Sequence, residues 1–208
     1  MNLSFSSPPS ILSFQASNPE ASIYFGYGSN LWMQQMKQRC PTSKYLGIAR
    51  LNGYRWIIYE RGYANIVEVS KEERSQKHDY SHEVWGLVYS LEPSDEEGLD
   101  GNEGIPYAYT KEHLECDFFE AKDGKKPDIT DDPQEVEMLA YINLRLTAPS
   151  HPKKEYIYRM NMGIEDALEK GVPRAYVDKV MRQFIPDVDD GSVVEVARKQ
   201  ALQFDDEN

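Results

Sequence analysis

Two glycines one residue apart, Gly26 and Gly28, end the apolar run IYFGYG, and Ser29, Asn30 and Leu31 follow them. A strand that turns this tightly into a helix exposes successive backbone amides, which form a cradle for an anion. Three chemistries could use such a cradle: phosphate binding, a serine-bound acyl group, or a carboxylate or developing oxyanion. A dinucleotide fingerprint needs a third glycine at position 31, which is Leu31, and an acid some 20 residues further on, where Leu46 to Arg50 stand. A phosphate loop needs a following Gly-Lys-Ser/Thr, which is absent. A nucleophile elbow needs glycines two before and two after Ser29, and Tyr27 and Leu31 occupy those places. A carboxylate or an oxyanion remains, beside the plainer reading of a tight turn with Ser29 as helix cap.

The second candidate is Glu103, in LDGNEGIPYAY (99–109) between Gly101 and Gly104, just ahead of Tyr107 and Tyr109. A glutamate in a glycine-flanked turn beside aromatics can be partly desolvated, which suits a general acid/base. The alternative is a solvated loop glutamate. Glu96 and Glu97 fall in an exposed helical turn and are set aside. His78 and His82 are spaced four apart but sit in a charged loop with no third ligand and no HExxH. His113 and His151 are isolated. The acidic runs at 100–104 and 187–191 lack the glycine and the final acid of a calcium loop. No metal site is expected.

These residues need elements to hold them. Residues 23–28 read as a short buried strand, and Ser29 or Asn30 as the cap of a helix over 30–39 that Cys40-Pro41 ends. Residues 44–59 read as two strands about Asn52-Gly53, a hairpin-type dipeptide. Strands follow at 63–69, 84–91, 107–120 and 135–146, with surface loops at 71–83 and 121–133. Pro93-Ser94-Asp95 opens a short helix with Leu99 inward, broken by Gly101 and Gly104. Tyr156, Met160, Ile164 and Leu168 fall four apart on one helix face. Gly171 stops that helix, and Pro173 starts another with a stripe of Tyr176, Val177, Val180, Met181 and Phe184. Strands first and helices after predict an α+β fold, a mixed sheet or barrel with helices at one side.

The chain of 208 residues suits one domain. Residues 1–22 read as a flexible Ser/Pro-rich leader without the features of a signal peptide, 23–186 as the domain, and 187–208 as an acidic tail expected to fray. A net charge of -12 argues against nucleic acid and against an anionic membrane surface. No run of 18 apolar residues is present. Cys40 and Cys116 could form one bridge, but two such distant cysteines better suit a reduced, cytoplasmic setting.

Several short motifs come in a familiar order: Tyr24-Phe25-Gly26-Tyr27-Gly28-Ser29-Asn30-Leu31, Ala49-Arg50-Leu51, Val84-Trp85-Gly86, Asn102-Glu103-Gly104, and Tyr156 through Met162-Gly163. Over residues 23–186 the chain resembles the γ-glutamylcyclotransferases, in the branch with the YGSNL motif. The resemblance implies a small closed mixed β-barrel with flanking helices. It implies conversion of a γ-glutamyl amino acid or amide to 5-oxoproline and the free amine, without cofactor or metal. Glu103 matches the family's catalytic glutamate. Tyr24, Phe25, Gly26, Tyr27, Gly28, Ser29 and Asn30 match its substrate loop, whose backbone amides over 24–29 would meet the oxyanion. Tyr156 matches a substrate-contacting tyrosine, and Tyr109 is taken with the substrate-binding set, although the spacing after Glu103 leaves Tyr107 and Tyr109 as alternatives. The expected partner is a small γ-glutamyl molecule; a homodimer stays open. So do a γ-glutamylated secondary-metabolite intermediate or γ-glutamylamine as substrate, and a non-catalytic binding module.

Overall fold

The computed structural model describes residues 20–74, 78–103, 105–188 and 190–202. Five strands close into a barrel: β1 (Ser22–Gly26), β2 (Lys44–Asn52), β5 (Glu83–Leu91), β6 (Thr110–Glu120) and β7 (Gln134–Ile142), in the order β1-β5-β2-β6-β7. Every pairing is antiparallel except β1 with β7, which meet in parallel at Tyr24 and Leu139 and complete the ring. The architecture is therefore the closed mixed barrel with flanking helices that the resemblance implies. Its filling is aliphatic and aromatic: Phe25, Ile48, Val88, Phe118, Met138 and Ala140 are essentially inaccessible to water. Burial of this kind is the main favourable contribution to folding. Among the described residues no helix is long and apolar enough to cross a membrane.

Two strands, β3 (Tyr54–Ile58) and β4 (Ala64–Glu68), pair only with each other. The Asn52-Gly53 dipeptide is thus not the turn of a β2–β3 hairpin. Both edges of β2 are taken, by β5 and β6, so β3 has no place beside it. Gly53 instead donates its N–H to the carbonyl of His82 and accepts from the amide of Val69, both at 2.8 Å.

The helix expected over 30–39 is divided. A single 3-10 turn covers Ser29–Leu31, Trp32 is extended, and α1 runs over Met33–Arg39. Neither Ser29 nor Asn30 caps it. Asp166 of α3 (Lys154–Lys170) accepts the N–H of Met33 at 2.7 Å and satisfies one of the free amides at the helix start. The helix α3 lies close against the turn because position 163 is glycine. A Cβ there would stand 2.9 Å from both the Cβ of Leu31 and the amide nitrogen of Trp32.

The α3 stripe forms as its spacing predicts, with Tyr156, Met160 and Ile164 buried and Leu168 half-buried. Gly171 ends the helix at φ 109°. The stripe after Pro173 is shared between a short α4 (Arg174–Lys179) and a 3-10 turn at Met181–Gln183. The chain beyond Pro186 does not simply fray. Residues Val194–Leu202 form α5, whose Ala197 and Ala201 are buried where it packs on α1 and α3. An alanine face lets helices approach closely despite the acidic surroundings.

Candidate active-site cleft

Glu103 sits at the C-terminal end of α2 (Pro93–Asn102), its amide bonded to the carbonyl of Leu99 at 2.9 Å. Gly101 does not break this helix; it lies within it, and Gly104 lies outside the described residues. The glutamate is therefore placed by a helix end and not by a free turn. That helix is tied down along its length. Leu99 is fully buried, Thr42 donates to Asp95 at 2.6 Å, and Lys111 of β6 reaches both Glu96 and Asp100 at 2.6 Å. Glu96 is consequently half-buried and paired, unlike the exposed residue its sequence context predicts, while Glu97 is exposed. The hydroxyl of Tyr141 adds a bond to Asp100 at 2.8 Å.

Glu103 lines a narrow cleft of ≈ 380 Å³, open mouth included. Other elements supply the rest of the wall. Tyr24, Tyr27, Gly28, Ser29 and Asn30 come from β1 and the turn after it, Tyr63 and Ala64 from the start of β4, and Tyr109, Tyr141 and Tyr156 from three further segments. Phe25 and Gly26 do not line it. Phe25 points into the barrel with no exposure, and a Cβ on Gly26 would meet only ordinary contacts at 3.4–3.6 Å. Tyr107 is 87% exposed and Tyr109 8%, so of the two alternatives Tyr109 is the one in the wall.

The phenols are held in defined roles. Tyr24 accepts from the amide of Asn30 at 2.8 Å, Tyr109 donates to the carbonyl of Ala64 at 3.0 Å, and Tyr27 donates to the carbonyl of Tyr141. Burial, and after it the nearby carboxylate of Glu103, push Tyr24 and Tyr27 well above the ordinary phenol range. Burial, then Tyr59 and Tyr27, and then Glu103 do the same to Tyr109. Tyr141 is raised by burial and next by its bond to Asp100. All four stay protonated near neutral pH, as neutral groups around a single wall carboxylate.

Tyr156 is arranged differently. Its oxygen accepts from the backbone amides of both Ser29 and Ala64, each at 3.2 Å. The amide of Ser29, expected to face a ligand directly, is engaged by this phenol. Gly28 makes room for it: a Cβ at 28 would stand 3.0 Å from the Tyr156 hydroxyl oxygen and 3.2 Å from the Cβ of Ala64. The close approach that requires glycine is thus to the protein's own tyrosine.

Behind the Ser29–Asn30 wall lies a buried polar cluster. Gln35 of α1 donates to Ser29 Oγ at 3.0 Å and to Asn30 Oδ1 at 2.9 Å. Arg159 of α3, with no exposure, reaches Ser29 Oγ at 3.3 Å and pairs with Glu155 at 3.0 Å. Arg39 reaches Asn30 Oδ1 at 3.4 Å and the carbonyls of Gln200 and Ala201 at 3.2 and 3.3 Å. Sequence reasoning passed over these residues, and over Tyr63, Ala64 and Tyr141. A signal existed for the cluster: Gln35 and Arg39, and Glu155 and Arg159, are polar pairs four apart beside apolar helix faces.

Among the described residues no group of three or more His, Cys, Asp or Glu side chains could hold a metal. Ser29 Oγ is surrounded by Gln35 and Arg159, both donors to it, with no general base among those partners. The arrangement offers one carboxylate for proton transfer and a ring of hydroxyl and amide groups for orientation.

The chain is 24% identical over 170 residues to the γ-glutamylcyclotransferase of Mus musculus, covering 77% of this chain and 78% of the mouse protein. With that of Homo sapiens it shares 24% over 172 residues, with the same coverage of each. Its fold superposes on a solved γ-glutamyl cyclotransferase with a TM-score of 0.63 at 20% identity, over 86% of this chain and 99% of the other. The family model for γ-glutamyl cyclotransferase, AIG2-like proteins matches residues 24–158, from the first cleft tyrosine to just past Tyr156, and the chain belongs to that family.

Proposed function

We propose that the protein is a γ-glutamylcyclotransferase that converts a γ-glutamyl amino acid or amide to 5-oxoproline and the free amine. The observation that carries this reading is the wall carboxylate of Glu103 in a cleft otherwise made of neutral hydroxyl and amide groups. Family membership supports it.

The substrate carries its own nucleophile, so the protein's main task is to hold the folded conformer. Glu103 takes a proton from the α-ammonium. The freed amine attacks the γ-carbonyl carbon, a C–N bond forms, and the carbonyl electrons move to oxygen. The hydroxyl of Tyr156, its oxygen already accepting from two amides, is polarised as a donor toward that oxyanion. The oxyanion collapses, the original amide C–N bond breaks, and protonated Glu103 gives its proton to the leaving nitrogen. The carboxylate then takes the second proton from the new ring nitrogen, leaving a neutral lactam, and passes it to the released amine, which departs as an ammonium. The carboxylate is regenerated and no external reactant is consumed. Ser29 and Asn30 contact the glutamyl group and attack nothing.

Cys40 and Cys116 are both free and buried. Burial, before any other cause, pushes each thiol up to about 12. Two cysteines left unbonded fit action in a reducing compartment such as the cytoplasm.

The test is Glu103→Gln assayed for 5-oxoproline release over a panel of γ-glutamyl amino acids, glutathione and γ-glutamylamines. The glutamine variant is expected to lose turnover by at least ~10²-fold, the usual share of a positioned acid/base. It should keep its circular dichroism spectrum. A glutamine variant as active as the parent would overturn the mechanism. A parent protein inactive on the whole panel would favour a binding module.

A further inference from the structure

Two arginines stand behind one wall of the cleft, and the cleft mechanism does not use them. Arg159 has no exposure and Arg39 only 5%. A buried guanidinium is costly unless paired and hydrogen-bonded. Here the partners are assembled from three helices. Glu155 pairs with Arg159 within α3. The side-chain amide of Gln200, oriented with its nitrogen inward, donates to both oxygens of Glu155 at 2.6 and 2.8 Å. Arg39 is anchored on the last carbonyls of α5, the negative end of that helix.

Both guanidiniums also point at the wall. Arg159 Nη1 lies 3.3 Å from Ser29 Oγ, and Arg39 Nη1 lies 3.4 Å from Asn30 Oδ1. Gln35 joins the same two acceptors. Both wall side chains thus receive charge-assisted contacts from behind. Such polarisation orients the Ser29 hydroxyl proton and the Asn30 amide away from the arginines. The cleft then carries two electrostatically different features: the carboxylate of Glu103, and the arginine-backed Ser29–Asn30 wall. A γ-glutamyl group is itself polar, with an α-ammonium and an α-carboxylate on one carbon.

We propose that Arg159 and Arg39 are positioning residues that make the Ser29–Asn30 wall the seat of the substrate α-carboxylate, and so turn its α-ammonium toward Glu103. The proposal rests on the cyclotransferase reading above. It assigns the selection of a free α-carboxylate to residues that do not line the cleft. It also gives α5 a part in recognition, because Gln200 and Ala201 supply some of the hydrogen bonds that hold Arg39 and Glu155.

The test compares two substrates on four proteins. The substrates are γ-glutamyl-alanine and 4-aminobutyryl-alanine, which has the same nucleophile and scissile amide but no α-carboxylate and would close to pyrrolidinone. The proteins are the parent, Arg159→Met, Arg159→Lys and Arg39→Met, each checked by circular dichroism and thermal melting. For the γ-glutamyl substrate, Arg159→Met and Arg39→Met should raise KM roughly tenfold or more, with a smaller change in kcat. Arg159→Lys should recover part of that. For 4-aminobutyryl-alanine the parent should already show the weaker KM, and the variants should add little.

Equal losses on both substrates would overturn the proposal and leave the arginines as structural groups. If Arg159→Met does not fold, Arg159→Lys and Arg39→Met decide the comparison by the same criterion. If the parent turns over neither these substrates nor any of the γ-glutamyl panel, the cyclotransferase reading itself fails. If the parent turns over γ-glutamyl-alanine and the variants match it on both substrates, only the role of the arginines fails.

Discussion

The phenolic oxygen of Tyr156 lies 3.2 Å from the amide nitrogen of Ser29, and that contact joins α3 to the turn that follows the first strand. The same oxygen takes the amide of Ala64 at the same distance. One side chain thereby fixes two segments of the cleft wall that share no strand pairing.

Tyr156→Phe keeps the ring, which meets Tyr63 edge-on with centroids 5.2 Å apart, and removes the oxygen. Two amides in the buried wall lose their acceptor. The variant should be less stable by about 2 kcal/mol in urea unfolding, the usual cost of a buried donor left short. It should also lose kcat for 5-oxoproline release more than it changes KM. A variant of parental stability would mean that water replaces the phenol at no cost.

Gly28→Ala and Gly26→Ala should part company. The Cβ at 28 meets the Tyr156 hydroxyl at 3.0 Å and Ala64 at 3.2 Å, both tighter than ordinary contacts. The Cβ at 26 meets nothing nearer than 3.4 Å. Alanine at 28 should displace Tyr156 and, on the proposed mechanism in which its hydroxyl meets the oxyanion, reduce activity at least roughly tenfold. Alanine at 26 should leave activity within about twofold, the behaviour of a substitution without a strained contact. Parallel kinetics on the two variants settle the matter.

Lys111→Met should reveal a pH-dependent contribution to stability. For Glu96, burial raises the pKa, but the bonds from Lys111 and Ser22 together outweigh it, and the net shift is down. Its contribution is present above the carboxylate's unfolded pKa and lost as pH falls through the depressed folded value. For Lys111, burial lowers the pKa, but Asp100 and Glu96 outweigh it and the net shift is up. Its contribution is present below the ammonium's unfolded pKa and lost as pH rises through the raised folded value. The difference between parent and variant should therefore be flat through neutrality and shrink in strong acid and strong base. These groups are partly exposed, so its plateau should be no more than about 1 kcal/mol. Denaturant unfolding across pH measures it.

Much of this architecture is legible in local sequence because it depends on local periodicity. Tyr156, Met160 and Ile164 declare a buried helix face, and VWGLVYSL declares a central strand. Glu103 and the YGSN turn are legible through motif order. The Asn52-Gly53 turn misleads because pairing is decided by which strand edges remain open, and β5 and β6 have closed both edges of β2. The tail misleads because its acidic composition hides Ala197 and Ala201, two small residues whose value lies in the helices they meet. Tyr63 and Tyr141 give no signal in a chain with 14 tyrosines, since only the closed barrel singles out those that face one cleft.

The parallel meeting of Tyr24 with Leu139 has a consequence in time. It joins the first strand to the last, so the ring cannot close until nearly the whole barrel sequence is present and ordered. Contacts this remote in sequence form slowly, because a long loop must be brought together before they reward it. Tyr24 and Tyr141 face the same cleft only once that seam is shut. On dilution from denaturant, secondary structure should return first and 5-oxoproline release only afterwards, with the seam as the gate between them.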